Sequence, residues 1–189
     1  MVDKEYHNNP IIEGDRIYLR KVTLSDVDGD YFEWMNNSKA IKFLSTRGIK
    51  YTREIIKKHV SEINGDSLYG FFAIIDRESE KHIGNIKIGP IDEFNRIAPL
   101  GIMIGGSDFL NKGYATEAIK LIVKYSFEDL RLNKLTAGCF ALNTGAINAF
   151  KKAGFLEEGL LRKQEFLNGE FADGVLLGIL IDDFEGTNA

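Results

Sequence analysis

Leu110-Asn111-Lys112-Gly113-Tyr114-Ala115 separates two hydrophobic patterns of different period. The apolar run before it, Leu100-Gly101-Ile102-Met103-Ile104, predicts a buried strand. Behind it, Ala115, Ala118, Ile119, Ile122, Val123, Phe127 and Leu130 recur at i, i+3, i+4 spacing and predict an amphipathic helix. A strand therefore feeds a glycine-containing turn, and the turn opens a helix. A helix start presents unpaired N–H groups and the positive end of the dipole, which suits an anion. Gly113 would let the backbone approach a phosphate closely. Any β-to-α connection also carries glycine readily, so the stretch alone leaves an anion site and a plain turn both open.

Working outward, Arg16 to Val22 alternates apolar and polar residues and predicts a half-buried strand. Thr23, Ser25 and Asp26 supply helix-start chemistry for a short helix carrying Val27, Tyr31, Phe32, Trp34 and Met35, which Asn36-Asn37-Ser38 breaks. Thr52 is placed to cap a second helix with Ile55, Ile56, Val60 and Ile63 at helical spacing, ending at Asn64-Gly65-Asp66. Tyr69 to Ile75 and His82 to Ile88 predict a hairpin, and polar Asp92 to Arg96 leads into the central strand. Past the long helix come a strand over Lys134 to Ala141 and a helix capped by Asn143-Thr144 that ends at Gly154. Two strands then close on Asn168-Gly169, a hairpin turn signal. The order is βααβββαβαββ: a mixed α/β single domain whose sheet is largely antiparallel in its first half.

The 189 residues suit one domain with a real core. A net charge of −4 without a long Lys/Arg cluster points away from nucleic acid. Lys57-Lys58 and Lys151-Lys152 are better read as solvated helix faces. Cys139 is the only cysteine, which excludes a disulfide framework and predicts a reducing cytoplasm, with Cys139 itself a small buried residue. The polar start Met1 to Asn9 lacks an apolar signal region, and no apolar run approaches the ~20 residues that span a membrane, so no membrane partner is expected. No His/Cys/carboxylate cluster has metal-ligand spacing, so no metal is expected.

Three patterns in one order carry a resemblance. They are the strand-turn-helix around Leu110-x-x-Gly113-x-Ala115, a strand ending at Asn143 with a helix behind it, and Lys151-Lys152-Ala153-Gly154-Phe155 leading into two last strands. Together they resemble the GNAT superfamily of acetyl-CoA-dependent N-acetyltransferases. The match is closest to the branch of ribosomal-protein N-terminal and amino-sugar acetyltransferases, through Gly113-Tyr114-Ala115-Thr116-Glu117-Ala118 and through Ile17-Tyr18-Leu19-Arg20 with Trp34-Met35-Asn36-Asn37. The resemblance implies an N-terminal arm over residues 1–13, an acetyltransferase domain over 14–182 and a tail over 183–189. Its fold is a mixed, partly antiparallel sheet flanked by helices, splayed to form an acetyl-CoA cleft.

The resemblance also implies site residues. Leu110, Asn111, Lys112, Gly113, Tyr114, Ala115 and Thr116 would cradle the pyrophosphate of acetyl-CoA. Ile102, Met103 and Ile104 would pair with the pantetheine arm as a pseudo-strand. A backbone N–H of Met103 or Ile104 would polarise the thioester carbonyl. Asn143 would bond the pantetheine arm, besides its reading as a helix cap, and Asn148 matches a position near CoA. Glu117, in the first turn, is explained by the helix dipole.

Leu110, Ala146, Phe150 and Pro99 depart from the family pattern, standing where Gln or Arg, Ser, a tyrosine general acid and a glutamate are common. The proton-transfer groups are therefore open. Asp92 and Glu93 are base candidates in the loop before the central strand, with Glu33 and His82 behind them; each also has a surface or structural reading. A thiol pKa near ~8.5 makes CoA thiolate a tolerable leaving group, so a dedicated acid is not obligatory. Glu33, Trp34 and Phe94 are expected at the acceptor, an amine of an amino sugar, another small molecule or a protein N-terminus. The alternative function is a non-catalytic acyl-CoA sensor on the same fold. ATP or NAD binding is disfavoured, since Leu110–Ala115 has neither phosphate-loop glycine pattern. A homodimer through the closing hairpin and central sheet stays open.

Overall fold

A computed structural model describes residues 12–187. Its strands form one eight-stranded sheet in the order β1-β2-β3-β4-β5-β6-β8-β7. These are β1 (Ile12–Glu13), β2 (Ile17–Lys21), β3 (Gly70–Asp76), β4 (Lys81–Ile88), β5 (Ile97–Ile104), β6 (Lys134–Phe140), β7 (Leu156–Leu167) and β8 (Glu170–Leu180). Neighbours run antiparallel except β5 and β6, which are parallel. That parallel step is where the long helix crosses, as a parallel connection requires.

The helices are α1 (Asp30–Asn36), α2 (Arg53–Gly65), α3 (Tyr114–Glu128), α4 (Thr144–Lys152) and α5 (Ile181–Thr187). The side chain of Thr52 accepts from Ile55 N and caps α2, as its sequence predicts. Strand β3 is buried on both faces, and its residues alternate between two cores. Phe72 and Ile74 pack with Ile119 and Ile122 of α3. Phe71, Ala73 and Ile75 pack with Trp34 of α1 and Ile56 and Val60 of α2. Each fully buried Ile or Val contributes roughly 1.5–3 kcal/mol of transfer free energy, so both layers are held by α–β burial.

Four boundaries differ from the sequence expectation. Ile12–Glu13, assigned to the arm, pair with Leu19 and Tyr18 of β2. Two residues are too few to show a period, and residues 1–11 of that arm lie outside the described residues. The first helix is broken at Gly29 into a 3-10 turn over Leu24–Asp28 and α1. Helix α5 follows β8 without a gap and crosses the boundary drawn at residue 183. Pro99 lies inside β5, not before it. Its carbonyl accepts from Gly89 N at 2.9 Å, one residue past the end of β4, so its missing N–H costs no bond within the β4 ladder.

No helix among the described residues is long and apolar enough to cross a membrane.

Candidate active site

Strands β5 and β6 pair only at Ile97 with Lys134, Ala98 with Leu135 and Pro99 with Thr136. Beyond Pro99, β5 stays with β4 as far as Ile104, while β6 stays with β8 as far as Phe140. A wedge therefore opens between them. The hydrogen bonds show which groups line it. Gly89 N donates to Pro99 O and Gly105 N donates to Ile83 O, both at 2.9 Å. Residues 99, 101, 103 and 105 thus turn their backbone groups to β4, and the alternation of an antiparallel ladder turns Leu100, Ile102 and Ile104 into the wedge. Main-chain donors and acceptors on such an open edge are what an extended amide chain pairs with.

This corrects one of the expected oxyanion donors. The N–H of Met103 faces Asn85 on β4, and a methyl group on Gly84 would run into its carbonyl oxygen. The side chain of Met103 packs instead against the α1–α2 core. Of the pair, Ile104 directs its N–H into the wedge, and Ile102 does the same one step deeper.

At the C-terminal end of β5 the chain makes a 3-10 turn over Ser107–Phe109 and enters α3. Asn111 (φ 59°) and Gly113 (φ 85°) are left-handed on either side of Lys112. Gly113 is the N-cap of α3 and brings no capping side chain, so the N–H groups of Tyr114, Ala115 and Thr116 have no intrahelical acceptor. Leu110, Asn111, Lys112 and Gly113 are exposed. The turn thus has the free donors and access an anion needs, at the mouth of the wedge.

Helix α4 starts on the other side. Asn143 Oδ1 accepts from Ala146 N at 3.2 Å, so Asn143 caps the helix and keeps its Nδ2 for another acceptor. Asn148 is exposed on α4. At the far end, Phe155 N donates to Phe150 O and Gly154 N to Lys151 O, with Gly154 left-handed at φ 100°. That is a Schellman termination, and the rings of Phe150 and Phe155 meet at 5.0 Å as its apolar contact. Phe150 is therefore a buried packing residue. Cys139, beside the wedge on β6, is a packing residue too: burial pushes its thiol up to about 11.

The base candidates are not brought to the wedge. Asp92 bridges Ile97 at the start of β5, and its carboxylate accepts from Asn95 N (2.9 Å) and Nδ2 (2.7 Å). Those bonds hold it below the usual carboxylate range. Glu93 and Phe94 are exposed in the same turn. The paired stretch Ile97–Pro99 separates that turn from the open edge, and Ile104 lies seven residues, roughly 23 Å, further along. His82 is buried under Trp34 (ring centroids 5.0 Å), with Nε2 2.9 Å from both Gly84 O and Asn85 Oδ1. Desolvation lowers its pKa. Trp34 is also buried and lies so close to Gly105 that any side chain there would collide with it, while Glu33 on the preceding position of α1 is exposed.

Contacts that the sequence reading missed shape both ends. Behind the Leu110–Gly113 turn, Arg16 and Glu117 form an ion pair at 2.9 Å, and Tyr114 donates to Asp76. Opposite, Arg47 donates to Phe166 O at 2.6 Å and lies over the ring of Phe140, tying the α1–α2 connection to the closing hairpin. None of these contacts leaves a local signal, since the hydrogen-bonded partners are 38, 101 and 119 residues apart.

The open β5 edge thus runs up to an uncapped helix start. The chain belongs to the acetyltransferase (GNAT) domain family, whose model matches residues 16–156. It is 28% identical over 185 residues to the Bacillus subtilis protein named "Probable N-acetyltransferase YjcK", covering 93% of this chain and 99% of that one. Its fold matches the spermidine N-acetyltransferase of Vibrio cholerae, solved with CoA and spermine, at a TM-score of 0.83 and 23% identity over 91% of this chain and 99% of that one. It also matches the ribosomal L7/L12 N-acetyltransferase RimL, solved with coenzyme A, at a TM-score of 0.83 and 18% identity over 92% of this chain and 99% of that one.

Proposed function

We propose that this enzyme transfers the acetyl group of acetyl-CoA to a primary amine, by direct attack with both substrates bound. The observation that carries the reading is the unpaired edge of Leu100, Ile102 and Ile104 running into the free N–H groups at Gly113–Thr116. The pantetheine amides would pair with Ile102 and Ile104, Asn143 Nδ2 would add a donor from the β6 side, and the turn N–H groups would hold the pyrophosphate. The Ile104 or Ile102 N–H then stabilises the negative oxygen that forms as the amine attacks. Holding the two reactants together supplies much of the acceleration. With Asp92 and Glu93 tied to the far turn, the ammonium proton leaves to water at the wedge, and the departing thiolate needs no dedicated acid.

The acceptor is an amine of an amino sugar or similar small molecule, or a protein N-terminus. Glu165, in the closing hairpin, is paired with Arg47 at 3.5 Å, which withholds one carboxylate from a polycation. Thiol release from acetyl-CoA, followed with an amino sugar, a peptide with a free N-terminus and spermidine, tests this. Turnover with the sugar or the peptide is expected. CoA binding with no turnover on any amine would replace the reading by that of a non-catalytic acyl-CoA sensor.

A further inference from the structure

We propose that Arg16, at the head of β2, is a positioning residue that sets the phosphate turn from behind through Glu117, Tyr114 and Asp76. The proposal rests on the acetyl-CoA reading above.

The guanidinium of Arg16 reaches the turn at several points. Its Nη1 donates to the carbonyl of Lys112 at 2.9 Å, and its Nε donates to Glu117 Oε2 at 2.9 Å. Its Cζ lies over the Tyr114 ring, 4.9 Å from the ring centre. The second carboxylate oxygen of Glu117 accepts from the backbone N of Arg16 (2.8 Å) and of Ile17 (3.3 Å). Tyr114 donates through its hydroxyl to Asp76 Oδ1 at 2.9 Å, and Asp76 is itself held by Ser79 N and Oγ. The residues on both sides of Gly113 are thus fastened to the ends of β2 and β3.

The consequence is directional. In a trans peptide the carbonyl of one residue and the N–H of the next point opposite ways. A grip on Lys112 O therefore turns the Gly113 N–H away from β2, to the open side of the turn. Asn111 and Gly113 are left-handed, a conformation that glycine adopts freely and asparagine tolerates well, so the turn's sequence suits the shape that Arg16 grips. Arg16 also packs closely behind position 113, where a Cβ would lie 3.3 Å from its Nη2. Glu117 neutralises the guanidinium, so Arg16 acts on the turn and not as a phosphate ligand. The helix-dipole reading of Glu117 is too small an account of a carboxylate with three donors on it.

Dissociation constants for CoA and for pantetheine, which lacks the pyrophosphate, test the proposal on the full chain. Arg16→Ala is expected to weaken CoA about tenfold, ~1.4 kcal/mol, and to leave pantetheine unchanged. Tyr114→Phe, which keeps the ring and loses the hydroxyl, is expected to weaken CoA about threefold with the same selectivity, and it carries the test if Arg16→Ala does not fold. CoA affinity equal to the wild type, or equal losses for CoA and pantetheine, would overturn the brace. A wild-type chain that binds no CoA would instead overturn the acetyl-CoA reading, before any substitution is made.

Discussion

Helices α3 and α4 both begin at the wedge, one behind β5 and one behind β6, and their first turns differ. Helix α4 satisfies its own start: Asn143 Oδ1 takes the Ala146 N–H. Helix α3 starts on a left-handed glycine with nothing to offer its N–H groups. Leaving a cap out forgoes about 1 kcal/mol of stability and leaves the first N–H groups of α3 open to acceptors from outside the chain, which is the place the proposed function gives to the pyrophosphate. The one acid in the first turn of α3, Glu117, faces rearward onto Arg16 and does not compete for that place.

The largest effect should come from closing the open start. Gly113→Val puts a β-branched residue at φ 85° and against Arg16. CoA affinity should fall more than tenfold, with a stability loss of about 1–2 kcal/mol in denaturant titration. Unchanged CoA affinity would remove the distinction between the two starts.

Next is the self-capped start. Asn143→Ala should cost about 1 kcal/mol of unfolding free energy, whereas Asn143→Asp keeps the acceptor and should cost far less. Both lose Nδ2, and both should bind CoA several-fold more weakly by calorimetry. If Asn143→Asp binds CoA normally, Asn143 is a cap and nothing more.

Smaller still is Glu117→Gln. Arg16 is half exposed, so losing the charge should lower stability by only about 0.5 kcal/mol, visible as a shift in the denaturation midpoint.

The gentlest test is pH. His82 is pushed below its ordinary 6.5 by burial, so the folded chain binds its proton less readily than the unfolded chain. Its contribution is complete above pH 6.5 and is lost as pH falls below that value. His82→Gln should remove part of this slope; His59, likewise lowered by burial, keeps the rest. A slope wholly retained in His82→Gln would place the titration elsewhere, for instance nearer the helix starts.

Much of this was readable from local pattern. The period change across Leu110–Ala115 placed β5, the turn and α3, and Thr52 and Asn143 were recognisable caps because a cap is a contact within three residues. Asn168 and Gly169, both left-handed, close the hairpin as their chemistry predicts. The base candidates fared differently. Asp92 and Glu93 are near β5 in the chain, but a strand is long, and they joined its wrong end. Met103 and Ile104 are adjacent in sequence and face opposite neighbours, a difference that only the register with β4 resolves.

The sequence by itself determined the order of the main elements, the caps of α2 and α4 and the left-handed turn at Asn168-Gly169, because those depend on side-chain period and on φ, both local quantities. Only the tertiary structure decided where β6 leaves β5, which backbone groups that exposes, and what holds the Leu110–Gly113 turn. The reason is distance along the chain: β8 pairs with β6 from Lys134 to Phe140 while β5 parts from it after Thr136, and Arg16 meets Glu117 across 101 positions of chain. No local pattern records such pairings.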